Sequence, residues 1–171
     1  MIFNSIYAVL LLCTILIGIF IGYTIYAIVS AAPFVPTFPE NVRRMIRLAN
    51  LKPGEVLMDL GSGDGRILRV GARAGAVCIG IEINPLLYWW SRLRNWLGRY
   101  RTVTVRRENL WKTDLSHIDV LTLFFMAPKM SALGEKIRAE MKPGARVISY
   151  GFRFPDWQYV DHDDKVYLYI V

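Results

Sequence analysis

Two short stretches carry the side chains best suited to chemistry, and each closes an apolar run. DLGSGDGR at 59–66 follows Val56-Leu57-Met58, and GIEINP at 80–85 follows Val77-Cys78-Ile79. An apolar strand, a glycine turn, a short helix and a second strand tipped with a carboxylate form the unit on which adenosine-containing ligands rest. Gly61, Gly63 and Gly65 permit a sharp turn and a close approach of ligand to backbone. The helix start beyond them offers free N–H groups and a partial positive charge. A dinucleotide would use both features, but its fingerprint spaces the glycines G-x-G-x-x-G so that pyrophosphate docks on the helix. Here they run G-x-G-x-G, with Asp59 before them and Asp64 among them. Two carboxylates repel a pyrophosphate and help to hold a cation. S-adenosylmethionine, with a sulfonium, an ammonium and no phosphate, suits that environment. Glu82, 17 residues past Gly65, is spaced to accept hydrogen bonds from the ribose hydroxyls, and Ile83 to cover the adenine.

These residues need a scaffold that gathers strand ends. Strands are expected at 56–60, 76–82, 102–107, 120–125 and 145–150, and helices at 66–74, 85–100 and 131–141. Pro85 opens the second of these helices, in which Leu86, Trp90, Leu93 and Leu97 make one apolar face of the kind that meets a core. The third buries Leu133, Ile137 and Met141. An earlier helix at 40–50 gathers Val42, Met45, Ile46 and Ala49 on one side. Segments 158–161 and 166–171 read as a closing hairpin around Asp163-Asp164. Strands alternating with helices predict an α/β fold, a mostly parallel sheet covered on both faces with an antiparallel C-terminal edge.

Charge is confined to one part of the 171-residue chain. No charged side chain precedes Glu40, so all 21 Lys+Arg, all 14 Asp+Glu and the net +7 fall in residues 40–171, a length that suits one domain. Residues 6–32 form an uncharged, mostly apolar run of 27. As a helix it would be about 40 Å long, against about 30 Å of bilayer hydrocarbon. The alternative is a cleaved signal peptide, but a basic n-region is lacking, the run is too long, and Pro33 follows the only plausible Ser-Ala-Ala site. The expected organisation is a transmembrane anchor at 1–32, a stiff linker (PFVPTFP) and cofactor-capping helix at 33–50, and a catalytic domain at 51–171. Residues 1–5 carry no Lys or Arg, whereas Arg43, Arg44, Arg47 and Lys52 follow the anchor, which puts the domain on the cytoplasmic face. Cys13 and Cys78 would lie in different phases, with no disulfide between them. His117 and His162 stand far from any cysteine cluster, so no metal site is expected.

DLGSGDGR and GIEINP resemble the first two motifs of class I S-adenosylmethionine-dependent methyltransferases, whose sheet is Rossmann-like. The chain is also similar to the small membrane-anchored protein-lysine methyltransferases, which include the mitochondrial enzymes that modify ATP synthase and adenine nucleotide translocase. The matching stretches are PFVPT at 33–37, DLGSGDGRI at 59–67, NP at 84–85, SRLRNW at 91–96, LWK at 110–112, ARVIS at 145–149 and FPDW at 154–157. The resemblance implies that Asp59, Gly61, Ser62, Gly63 and Gly65 line the methionine part of the cofactor, that Glu82 holds the ribose, and that Thr37 closes the site. Asn109 stands where the family usually has an aspartate near the adenine amino group; its amide oxygen still accepts a hydrogen bond, without the charge. Met126, Ala127 and Pro128 would wall the transferred methyl, and Trp111 and Trp157 would flank the acceptor channel.

A lysine acceptor must lose its proton before it attacks the methyl carbon. With a free pKa of about 10.4 this costs about 4.6 kcal/mol at pH 7. An apolar, aromatic channel lowers the cost by desolvation and tolerates the methylated product through cation–π attraction. No general base is assigned. The arginine-rich stretch 92–112, interleaved with Trp89 and Trp96, is a surface for anionic lipid headgroups, a solvated helix and strand edge, or an RNA contact; nucleic acid is the less favoured partner. Asp161-His162-Asp163-Asp164 reads as a hairpin tip rather than a cation site. The expectation is a methyltransferase held in the bilayer, acting on an accessible lysine of a membrane protein. A membrane-soluble small-molecule acceptor, or a non-catalytic cofactor-binding module, are the alternatives.

Overall fold

A computed structural model describes residues 2–30 and 34–171. Ala31, Ala32 and Pro33, the join between the expected anchor and linker, lie outside the described residues. Helix α1 (Ile2–Ser30) contains a 21-residue stretch, Ser5–Ile25, long and apolar enough to cross a membrane and with none of it buried in the protein. Its threonines turn inward: Thr14 and Thr24 each donate to the carbonyl four residues back, at 2.9 and 2.8 Å, which hides their hydroxyls from an apolar surrounding.

Helix α2 (Pro39–Leu48) opens with proline and buries Val42 and Met45. The remaining elements alternate: β1 (Val56–Leu60), α3 (Arg66–Arg73), β2 (Val77–Ile81), α4 (Pro85–Leu97), β3 (Val103–Arg106), β4 (Val120–Leu123), α5 (Met130–Glu140), β5 (Arg146–Tyr150), β6 (Asp161–Asp163) and β7 (Val166–Ile170). They build one sheet in the order β3-β2-β1-β4-β5-β7-β6. β1 to β5 run parallel, and β7 pairs antiparallel with β5 and β6. The period of two along each strand splits the core. Leu57, Cys78, Val120 and Ile148 join Val42, Met45 and Leu68 on the α2–α3 side, while Met58, Leu60, Leu121 and Leu123 join Leu133, Ile137 and Tyr169 on the α5 side.

The hairpin sits slightly later than its sequence pattern implies, with its turn at Asp164-Lys165. The acids at its tip pair with α2: Arg44 meets Asp164 at 3.1 Å and Arg47 meets Asp163 at 3.0 Å. Helix α4 departs from expectation in two ways. It stops at Leu97 instead of reaching Tyr100, because Arg99 has a left-handed φ of 54°. It is also turned over. The face expected to meet the core points outward, and the buried positions are Ser91 and Asn95. The reason is local: Gly65 has no side chain, and a Cβ there would collide with Ser91 Oγ. The helix therefore lies close against the start of α3 along a small polar seam.

Candidate active site

The strand order reverses between β1 and β4, and a cleft opens at their C-terminal ends, where open α/β sheets bind ligands. Its floor is the loop after β1. Gly61, Gly63 and Gly65 have φ of 78°, 53° and 77°, a left-handed run that L side chains avoid. The N–H groups of Gly61 and Ser62 donate to Ile81 O at 2.9 and 3.0 Å and tie the loop to β2.

Thr37, Asp59, Gly61, Ser62, Gly63, Glu82, Ile83 and Asn109 all line this cleft. Gly65 does not; it caps α3 against Ser91. Ser62 borders the cleft with its hydroxyl side close to Gly80, where a Cβ would fall 2.6 Å from Ser62 Oγ and 2.5 Å from Leu68 Cδ1. Gly80 is thus a site residue that no ligand-contact argument reveals, since it makes room for the loop.

Asp59 is buried, and Thr122 Oγ1 donates to it at 2.8 Å. Burial pushes its carboxyl up to about 7, against the Thr122 bond and with help from the Glu82 and Asp64 charges. Glu82 is also raised by burial, although Gly63 N–H and Asn84 N–H donate to its two oxygens at 2.8 and 2.7 Å. The Ile83 backbone N–H also lowers it, and of the four lone-pair sites of the carboxylate at least one remains for a further donor. Asp64 behaves differently. Burial opposes its ionisation, but the Arg66 hydrogen bond and the Arg66 and Arg69 charges outweigh this and hold the carboxyl below its usual range. Arg66 and Arg94 approach it at 2.8 and 2.9 Å. Asp64 is therefore neutralised from within, and the expectation that it helps hold a cationic ligand gives way: Asp59 and Glu82 are the acids left to do so.

The segment before α2 closes one side of the cleft. Phe34, Val35, Pro36 and Thr37 line it, whereas no α2 residue does. Phe34 lies over the loop so closely that a Cβ on Gly63 would sit 2.5 Å from its ring. Arg66 holds this cap: the guanidinium that pairs with Asp64 also donates to Thr37 O at 2.7 Å. Phe34 and Arg66 lie inside the matched stretches, but sequence alone assigns them no role. Thr24 of α1 borders the cleft as well.

The opposite wall is aromatic. Phe124 and Phe125 line it, with Phe124 packed edge-on against Tyr150 at 4.8 Å and near Phe152 at 6.4 Å. Met126, Ala127 and Pro128 follow these residues without lining the cleft. Trp111 sits one ring back, 6.0 Å from Phe125, and Trp157 packs in a separate cluster with Phe154 and Tyr169. Asn109 Oδ1 accepts from Trp111 N–H at 3.0 Å, which leaves one lone pair free. Among the described residues, no group of three or more His, Cys, Asp or Glu is arranged to hold a metal ion.

Comparison with known proteins agrees with this geometry. Residues 59–161 match the ANTKMT methyltransferase domain. A lysine N-methyltransferase of ATP synthase from Rattus norvegicus is 36% identical over 126 residues, 73% of this chain and 58% of that protein. This chain thus covers less than two thirds of that relative. A protein-lysine N-methyltransferase of Saccharolobus islandicus is 31% identical over 84% of this chain and 96% of its own. The crystal structure of an RNA methyltransferase from Salinibacter ruber in complex with S-adenosyl-L-homocysteine superposes with a TM-score of 0.75 at 34% identity, covering 80% of this chain and 93% of that one.

Proposed function

Because the chain belongs to the ANTKMT methyltransferase family, we propose that it is a membrane-anchored enzyme that methylates a lysine side chain of a protein, itself a membrane protein, with S-adenosylmethionine as donor. One observation carries the membrane part of this reading: Thr24, in the apolar stretch of α1, borders the same cleft as Asp59 and Glu82. Anchor and active site are then neighbours. In this reading residues 1–32 are the anchor, 33–50 the linker and cap, and 51–171 the catalytic domain. Arg43, Arg44, Arg47 and Lys52, which follow the apolar stretch, favour a cytoplasmic domain.

The residues present fit the donor. Asp59 and Glu82 stand buried over a glycine floor, and Arg66, the one basic residue among the described residues that line the cleft, is paired with the third buried acid, Asp64. That arrangement suits an ammonium and ribose hydroxyls, and two buried acids disfavour a pyrophosphate. Asp59 and the Gly61–Gly63 backbone would hold the methionine part, Glu82 the ribose, Ile83 and Asn109 the adenine. When bound, the donor supplies a methyl group activated by its sulfonium. Phe34 and Thr37 exclude water from above. Phe124 and Phe125 present ring faces to the acceptor, which lowers the lysine pKa by desolvation and accommodates the methylated ammonium. Alignment of the two substrates, rather than a strong base, then supplies most of the rate.

The Salinibacter ruber relative favours an RNA acceptor as a second reading. Against it, Arg92, Arg99 and Arg101 line a separate groove between α4 and β3, away from the cleft. Incubating the full chain in proteoliposomes with methyl-labelled donor and membrane proteins separates the readings. Label in lysine, found by mass spectrometry, supports the proposal. Label released by nuclease, or extracted with the lipid fraction, would overturn it.

A further inference from the structure

The outward face of α4 is left uncovered by the described residues. Trp89, Trp90 and Trp96 are 61%, 52% and 74% exposed, and Leu86, Leu93 and Leu97 join them. A contiguous patch of this kind on a surface helix marks a site of contact. Its composition narrows the partner. Tryptophans are the residues of membrane–water interfaces, where an apolar ring and a polar N–H meet both phases. The rim is cationic: Arg92, Arg99 and Arg101 line the groove between α4 and β3 beside Trp96, and Arg106 and Arg107 follow at the end of β3. Arg92 stacks over the Trp89 ring at 5.1 Å, so charge and aromatic surface form one unit.

Position gives a second, independent argument. Arg107 lies over the ring of Tyr23 in α1 at 5.9 Å and donates to its hydroxyl at 3.4 Å. Leu87, in the first turn of α4, borders the cleft that Thr24 also borders. The apolar stretch of α1 therefore reaches the domain on the side that carries β3 and α4. We infer that α4 docks on the surface of an anionic phospholipid bilayer, with Trp89, Trp90 and Trp96 at headgroup level and the arginines on lipid phosphates. The inference rests on the membrane-anchored reading for its geometry, and it adds a second contact that fixes how the cleft faces the bilayer. A helix that sets its apolar face on lipid has no need to bury it in the core, so the packing of Ser91 on Gly65 leaves no apolar face wasted.

The full chain reconstituted in lipid nanodiscs tests this. Three of the five tryptophans are on α4. In discs containing phosphatidylglycerol, lipids brominated near the headgroup should quench more than half of the tryptophan emission. The residual emission of a Trp89→Phe/Trp90→Phe/Trp96→Phe variant should be little quenched. Arg99→Glu/Arg101→Glu, or replacement of phosphatidylglycerol by phosphatidylcholine, should lower the quenching at least twofold. Carbonate extraction run in parallel tests the anchor by itself. A chain retained by the bilayer but unquenched would overturn α4 docking and leave the anchor standing. A chain extracted by carbonate yet quenched would support docking and sink the anchor. Wild-type emission that is blue-shifted but immune to brominated lipid, from a particle of two copies, would assign the face to a second molecule and overturn the proposal.

Discussion

Asp59 combines burial with a carboxyl raised to about 7, and this gives it opposite effects on stability and on ligand binding. The folded chain holds its proton more tightly than the unfolded chain does. Stability from this group is therefore full at low pH and is lost as pH rises from about 4 through about 7. Asp59→Asn cannot ionise, so the ligand-free variant should unfold at a higher temperature than wild type at pH 8, by an amount worth a few kcal/mol. It should also bind adenosylhomocysteine about 10- to 100-fold more weakly, the cost of losing a charged hydrogen-bond partner. Calorimetry and thermal unfolding in detergent read the two effects separately. In wild type the affinity for adenosylhomocysteine should fall about tenfold between pH 8 and pH 6, as Asp59 takes up its proton. Affinity flat across that interval would rule out Asp59 as the ammonium partner. Arg66 acts on the cap. Arg66→Ala should loosen the Thr37 contact and weaken cofactor binding several-fold, with about 1–2 kcal/mol of stability lost, and Arg66→Lys should recover only part because lysine lacks the planar fork.

At the scale of elements, the β1 loop is defined by glycines with three separate tasks. Gly63 admits Phe34, Gly65 admits Ser91, and Gly80 on the next strand admits Ser62 and Leu68. The first shapes the cleft, the third seats its Ser62, and the second serves helix contact alone, so the glycine pattern that announces a ligand site is also a packing device for α3 and α4. Gly65→Ala should cost about 2 kcal/mol, part from its left-handed φ and part from the collision with Ser91 Oγ. Adding Ser91→Gly should return the steric part and not the backbone part, which denaturant unfolding of the double variant would show as a partial recovery. Full recovery would mean that the φ strain at Gly65 is negligible.

For the whole molecule, the proposed anchor, whose Thr24 borders the cleft, would make acceptor access a question of shared membrane. An acceptor in the same vesicle meets the enzyme at high effective concentration, and one in a separate vesicle does not. Methylation should be about 10²-fold faster when enzyme and acceptor are co-reconstituted than when they occupy separate vesicles, by analogy with tethered binding sites. Initial rates of label transfer at equal total lipid measure the difference. Equal rates would show that the tether plays no part in acceptor choice.

Much of this is legible from residue order. The motifs at 59–66 and 80–85 locate the cleft, because backbone conformation at glycine and the reach of a strand-end carboxylate are local properties. The parallel strands fall within two residues of their expected bounds, since alternation of apolar side chains is also local, and the apolar run of α1 announces itself by length. What the sequence by itself did not determine is how neighbouring elements share their side chains. Asp64 stands among the glycines as a free acid until Arg66, Arg69 and Arg94 arrive from two helices to neutralise it. Leu86, Trp90, Leu93 and Leu97 have the periodicity of a buried face. Yet α4 turns them outward: Ser91 packs on Gly65 and Asn95 accepts from Arg69, and these two take the inside. Periodicity reports that a helix has an apolar side; only the tertiary structure decides whether protein or another phase covers it.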